Sequence, residues 1–368
     1  MANILEMAKN IHPTHTLSEE ELRARYIEIY PNIKRDIEFF IEVYPETSAP
    51  LFISGQIGSG KSTLLKSLVF NNAKMHYLDV SDLSIFNPND SIDVTLLIVY
   101  KIFQLTNSQG DLSSIEELIT KNRVDDIFYG VDNNDIINTI IEFKNKNTIK
   151  SKAIVIDGLD RFLELSNLKT ITNVLLDLAS IWKVLEQKLI FVTPLFFTQS
   201  SQALAEYAKV YEADTLDQTH LTIPIPDPIN TIFWKEFIAV RAKMDDLKLS
   251  DQQINDLVGL SGGVLRGTLV ILRHLLNLMY RNGDIVVKDT HIIQLNKDVQ
   301  NSLSKLMPSP ISKDWEALEY IDKHKPSAIP NNAIHLFTKD IPLALFTERE
   351  GKVMCILHPL VNLSDIPF

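Results

Sequence analysis

Gly55-Gln56-Ile57-Gly58-Ser59-Gly60-Lys61-Ser62, followed by Thr63, is the stretch on which the reading of this chain turns. It fits G-x-x-x-x-G-K-[ST], the pattern of a phosphate-binding loop. Glycines let successive backbone N–H groups point into one concavity, a nest for an anion. A helix opening at Lys61 adds the positive end of its dipole. In such a loop the lysine reaches the β- and γ-phosphates, and the hydroxyl in the place of Ser62 is a Mg2+ ligand. The context has the required form: PLFIS (50–54) reads as a short buried strand leading in, and residues 61–70 read as a helix leading out. Positions 55–63 are therefore candidate binding residues, with ATP and Mg2+ as the implied cofactors.

Glycine is scarce elsewhere. The chain has 12 in 368 residues, about half the usual share. Three sit in this loop, and four more (Gly259, Gly262, Gly263, Gly267) crowd a second one. A chain this sparing places glycine where backbone freedom is required.

Working outward, MHYLD (75–79), KAIVI (152–156), KLIFVT (188–193) and HLTIPI (220–225) read as further short apolar strands. Helical patterns at 93–105, 134–144 and 168–185 separate them. Strands alternating with helices predict an α/β fold, a three-layer sandwich around a five-stranded, mostly parallel sheet. The first fifty residues look helical: Ser18 and Glu21 form a capping-box pattern before LRARYIEIY, and a second periodic stretch runs over 33–44. The polar stretch 106–133 reads as an insertion without a motif. After Pro224, Pro226 and Pro228 the strands cease, and helical spacing runs over 230–243, 250–260, 264–280 and 290–306. A boundary follows at MPSP; then come one or two helices and a hairpin made of ALFTE, a turn at 348–352, and VMCILHPLV. The expected organisation is an α/β domain over 1–228 (its N-terminal helices at 16–45), a helical lid over 229–306, and a small winged-helix-like module over 307–368.

A phosphate loop needs an acidic strand, and Ala153-Ile-Val-Ile-Asp157 supplies one. Its terminal carboxylate suits the Mg2+ water shell. Asp160, three residues on, reads either as the group that orients water toward the γ-phosphate or as the N-cap of the next helix.

These strings together resemble the AAA+ and STAND-type P-loop ATPases over roughly residues 30–300. The resemblance implies that the residue ending the fourth strand, Thr193 in LIFVTP, senses the γ-phosphate. Leu260-Ser-Gly-Gly-Val-Leu-Arg266-Gly is similar to the lid signature of origin-recognition-like members. It implies that Arg266 reaches over the nucleotide; the blander reading is a surface arginine paired with an acid. LSGGV also resembles the signature of ABC transporter ATPases, but there the signature precedes the acidic motif, and here it follows Asp157.

Two departures matter. Most AAA+ members place Glu after the metal-binding Asp, and here that neighbour is Gly158; D-G-L-D-R is closer to STAND and KAP-type switch ATPases. No arginine occurs between Arg161 and Arg241, so the usual place of a trans-acting arginine finger is empty. Such a finger contributes ~10³ or more in rate. A slow switch controlling self-assembly or a protein partner is the leading reading, in a setting such as antiviral defence. The rivals are an origin-recognition-like ATPase that grips DNA, a nucleotide-binding scaffold without turnover, and a small-molecule kinase.

Composition narrows the rest. Lys and Arg total 36 against 47 Asp and Glu, net −11, which argues against binding nucleic acid or anionic membrane by bulk charge. From 301 to 368 seven Lys or Arg face eight Asp or Glu, a thin supply for a DNA-reading module. A single cysteine, Cys355, excludes an intrachain disulfide framework and reads as a core thiol. The histidines show no metal-ligand spacing, no G-x-S-x-G elbow occurs, and Trp182, Trp234 and Trp315 lie in core-like periodic segments. Without a long apolar run, a cytoplasmic location off the membrane is the expectation.

Overall fold

The computed structural model describes residues 2–11, 13, 17–80, 90–106, 111–121, 123–124, 127–128, 130–147, 151–159, 173–177, 179–193, 195, 220–242, 247–330, 333–337, 341–349 and 352–363. In chain order its elements are α1 (Ala2–Asn10), α2 (Glu19–Arg25), α3 (Pro31–Val43), β1 (Leu51–Gly55), α4 (Lys61–Phe70), β2 (Met75–Asp79), α5 (Ser91–Thr106) and α6 (Ser113–Lys121). The two-residue strands β3 (Arg123–Val124) and β4 (Ile127–Phe128) follow, then α7 (Asn133–Lys146), β5 (Ala153–Asp157), α8 (Ala179–Leu185), β6 (Leu189–Thr193) and β7 (His220–Ile223). The rest is α9 (Thr231–Ala242), α10 (Asp251–Ser261), α11 (Leu265–Asn282), α12 (Asp289–Leu306), α13 (Lys313–His324), β8 (Ala344–Arg349) and β9 (Lys352–Leu357).

These elements form two compact units. One holds Tyr30–Ser54 and Leu64–Thr222; the other holds Met1–Ile29, Gly55–Thr63 and Ile223–Phe368.

The first unit is built on the sheet. Its strand order is β2-β5-β6-β1-β7, and β2–β5, β5–β6 and β6–β1 are parallel. Every residue of β1, β5 and β6 is buried, which is why these strands read as unbroken apolar runs and not as alternating ones. Phe52, Ile154, Ile156 and Phe191 share a core with Ile98, Ile102 and Phe103 of α5, Phe143 of α7 and Trp182 of α8. Phe103 and Phe143 stack with ring centroids 3.7 Å apart. The strand order and the loop after β1 make this a P-loop α/β sandwich, as expected. The stretch 106–133 is more structured than anticipated: α6 buries Ile115 in the same core.

The second unit is mainly helical. Ser18 and Glu21 make the expected capping box, but α2 stops at Arg25 where the spacing suggested a longer helix. In the first unit, Pro31 opens α3, and the residue before a proline is turned away from helical geometry; Tyr30 has φ −125° and ψ 62°. Helix α10 begins with a Ser250–Gln253 capping box. It ends with Gly262 N–H on the Gly259 carbonyl and Gly263 N–H on the Val258 carbonyl, both glycines left-handed at φ +64° and +81°. A Cβ on Gly262 would lie 2.8 Å from Leu345 and 2.9 Å from His358, so this second glycine loop is a close seat for the C-terminal hairpin β8–β9. The hairpin matches expectation; one helix (α13) and a 3-10 turn at Ile334–Phe337 precede it, so the likeness to a winged helix rests on the hairpin alone. Cys355 is buried in β9, where burial pushes its thiol up to about 12. Trp182, Trp234 and Trp315 are buried, as expected. No single helix among the described residues is long and apolar enough to cross a membrane.

His358, fully buried behind the hairpin, accepts a hydrogen bond from Leu360 N–H at Nδ1. Burial pushes its pKa down to about 4, opposed only in part by a backbone hydrogen bond to Leu260. The unfolded imidazole takes up its proton near pH 6.5, so stability is full above that and falls as pH drops toward 4. The expected loss is on the order of 3 kcal/mol, the shift at 1.36 kcal/mol per unit. Denaturant midpoints between pH 7.5 and 4.5 check this: His358→Gln should flatten the part of the decline that this imidazole causes.

Candidate functional site

The site is assembled from the ends of buried strands. A strand that must stay apolar along its length has room for chemistry only where it leaves the sheet. In the first unit Asp157 ends β5 and Thr193 ends β6, with Thr193 in register beside Ser54, the residue that hands β1 over to the glycine loop.

In the second unit, the backbone of residues 55–63 has the form that the motif calls for. Gly58 and Gly60 have φ of +81° and +95°, conformations that a side chain would strain. Ser59 N–H closes a turn on the Gln56 carbonyl at 3.1 Å. The buried Lys61 ammonium lies back over its own loop, donating to the Gly55 carbonyl at 2.8 Å and the Gln56 carbonyl at 3.2 Å. Ser62 and Thr63 are half-buried in the first turn of α4. The donor set fits a phosphate: a left-handed glycine backbone, a helix N-terminus and a lysine held where carbonyls now accept its protons.

Arg266 belongs to the same unit and comes to the loop. Its backbone N–H donates to the Gly58 carbonyl at 3.3 Å, and a Cβ on Gly58 would lie 2.7 Å from the Arg266 Cβ. Gly58 is thus glycine twice over, for its φ and for the lid turn seated against it. Arg241, the other arginine considered, is held elsewhere: it lies over the Phe237 ring at 5.9 Å, and burial lowers its guanidinium to about 10, with Glu21 opposing and Arg25 adding to the shift. Asp160 and Arg161 lie outside the described residues.

In the first unit, Asp157 is 1% exposed. One carboxylate oxygen accepts from Gly158 N–H at 2.6 Å and the other from the Tyr77 hydroxyl. Tyr77 sits on β2, the neighbour of β5, with the Lys66 ammonium 5.0 Å from its ring centroid. Gly158 has φ +90°. The glycine that replaces the usual glutamate is therefore required by the backbone, since a glutamate there would be strained. The Thr193 hydroxyl is buried and has no hydrogen-bond partner among the described residues. Leaving a hydroxyl so costs about 1–3 kcal/mol, a cost that a bound polar group would relieve.

Neither a protein-family model nor a curated protein sequence matches the chain. Solved structures similar to it include the Aeropyrum pernix ORC2 protein in its ADPNP–ADP complexes, at 11% identity, covering 96% of this chain and 94% of that one, with a TM-score of 0.49. Drosophila ORC bound to DNA is 12% identical over 96% of this chain and 88% of that one, TM-score 0.45. A Walker-type ATPase of Pyrococcus abyssi is 14% identical over 92% of this chain and 96% of that one, TM-score 0.43. The likenesses are loose, and the fold assignment stands on this chain's own strand order and glycine loop.

Tyr77 was invisible in the sequence. MHYLD reads as a strand, but nothing in it says which strand lies next to β5 or which side chain meets Asp157. If the phenol orients that carboxylate for a metal, Tyr77→Phe should weaken Mg2+ affinity about tenfold, as loss of a partner behind a metal ligand does. Nucleotide titrations over a Mg2+ series check this; binding in EDTA should be unchanged.

Proposed function

We propose that this chain is a Mg2+-dependent, ATP-binding switch ATPase that turns over slowly and controls assembly or a protein partner. The observation that carries the reading is the Lys61 ammonium lying over the carbonyls of a loop whose glycines are left-handed. Such a loop offers its N–H groups and its lysine to phosphates and has little other use for either.

In this reading Lys61 and the amides of residues 56–63 hold the β- and γ-phosphates, Ser62 and Asp157 hold Mg2+, and Tyr77 and Gly158 keep the Asp157 carboxylate oriented. Bound Mg2+ supplies charge neutralisation for phosphoryl transfer. Arg266 and Thr193 register the γ-phosphate, and Asp160 orients water. Slow turnover is supported by Gly158, whose left-handed backbone disfavours a glutamate, and by the absence of any arginine between Arg161 and Arg241. The net charge of −11 favours a protein partner or a second copy over DNA. A role in defence rests on the STAND-like spelling of the acidic motif alone.

Turnover by the purified chain should be slow, and Lys61→Ala should abolish it together with nucleotide binding. Phosphate release measured over a wide range of protein concentration checks both. Turnover per chain that climbs with concentration would mean that assembly completes the site; binding and turnover that survive in Lys61→Ala would overturn the reading.

A further inference from the structure

Gln56 occupies one of the unspecified positions of the phosphate loop, where the motif asks nothing of the side chain. It is nevertheless 1% exposed, and both ends of its carboxamide are used. Nε2 donates to the Ala344 carbonyl at 3.2 Å, and Oε1 accepts from Phe346 N–H at 3.1 Å. Both partners are backbone groups of β8, two residues apart and so on the same edge of that strand. The opposite edge of β8 pairs with β9. The side chain of Gln56 therefore stands where a neighbouring strand would, as a one-residue strand partner for the hairpin. The next group along that edge, the Phe346 carbonyl, accepts from Ile225 N–H at 3.0 Å.

The backbone of the same residue carries the loop. The Gln56 carbonyl accepts from Ser59 N–H and from the Lys61 ammonium. One residue thus joins the phosphate-binding lysine to the C-terminal hairpin. The hairpin also bears on the lid turn, because Leu345 and His358 close over Gly262, and four residues on Arg266 N–H meets the Gly58 carbonyl. All of these contacts lie within one compact unit.

We propose that Gln56 is a positioning residue through which the docked C-terminal hairpin holds the phosphate loop in its binding form, so that nucleotide occupancy and hairpin docking strengthen each other. The proposal rests on the nucleotide reading above and names its regulation. A loop held in advance binds its ligand without paying to order itself. By reciprocity the ligand tightens the hairpin by the same factor. A partner that takes hold of the hairpin would then loosen the nucleotide, and the nucleotide would keep the hairpin from that partner.

The Phe346 amide is a direct reporter, because its proton is the one that Gln56 accepts. Hydrogen exchange of the full chain, free and with ADP or a non-hydrolysable ATP analogue plus Mg2+, should show slower exchange at Phe346 with nucleotide, by about tenfold. Gln56→Met keeps the volume but makes neither hydrogen bond. It should exchange fast at Phe346 with or without nucleotide, bind nucleotide about tenfold more weakly, and keep wild-type protection in α10 and α11. Wild type that binds nucleotide with Phe346 exchange unchanged or faster would overturn the coupling while leaving the nucleotide reading intact; this arm stands even if the variant does not fold. Gln56→Met with wild-type affinity and wild-type protection at Phe346 would likewise overturn it. Wild type that binds neither ADP nor the analogue would overturn the nucleotide reading itself.

Discussion

Two left-handed residues within three positions, Gly58 and Gly60, oblige the chain leaving β1 to fold back over itself. That backbone sets the Gly55 and Gln56 carbonyls where Lys61 can reach them. The rest of the second unit's detail follows from the need to support it. Val264 and Arg266 close against Gly58, at a distance that only a residue without Cβ allows. The second glycine loop ends α10 in a left-handed turn and brings β8 and His358 down on it. A flexible loop could not be a nest; this one is braced on several sides.

The sheet imposes a complementary constraint. Strands buried on both faces cannot carry charge along their length, so Asp157 and Thr193 sit at carboxyl ends, where the strand meets a loop. The buried carboxylate then needs donors, and it takes them from the nearest places: the amide of its own successor and a phenol on the adjacent strand. Taking the first of these goes with a left-handed backbone at Gly158. A departure from the AAA+ pattern that looked like a lost catalytic residue is thus also a conformational requirement of this backbone.

Much of this was legible beforehand because local rules were sufficient. Strand ends came within one or two residues for β1, β2, β5 and β6, since apolar runs bounded by glycine, proline and polar residues have few other readings. The capping box at Ser18 follows from side-chain reach of three residues. Where a local pattern was over-read, as in extending α2 beyond Arg25, the backbone turns extended at Tyr26, with φ −76° and ψ 131°. The stretch 106–133 read as an insertion without a motif because its apolar residues are few, yet α6 buries Ile115 in the core and packs Leu118 and Ile119 against it.

What the sequence determined by itself was chemistry carried by consecutive residues: the glycine loop, its lysine and hydroxyl, the acidic strand, and a hairpin near the end. Each needs only neighbours along the chain, and backbone sterics do the rest. What only the tertiary structure decided was which distant residues meet. Tyr77 reaches Asp157 because β2 lies beside β5, and Gln56 reaches Phe346 across 290 positions because the hairpin seats on the second glycine loop. The physical reason is that a hydrogen bond depends on distance in space, while sequence spacing predicts distance only within one helix, strand or turn.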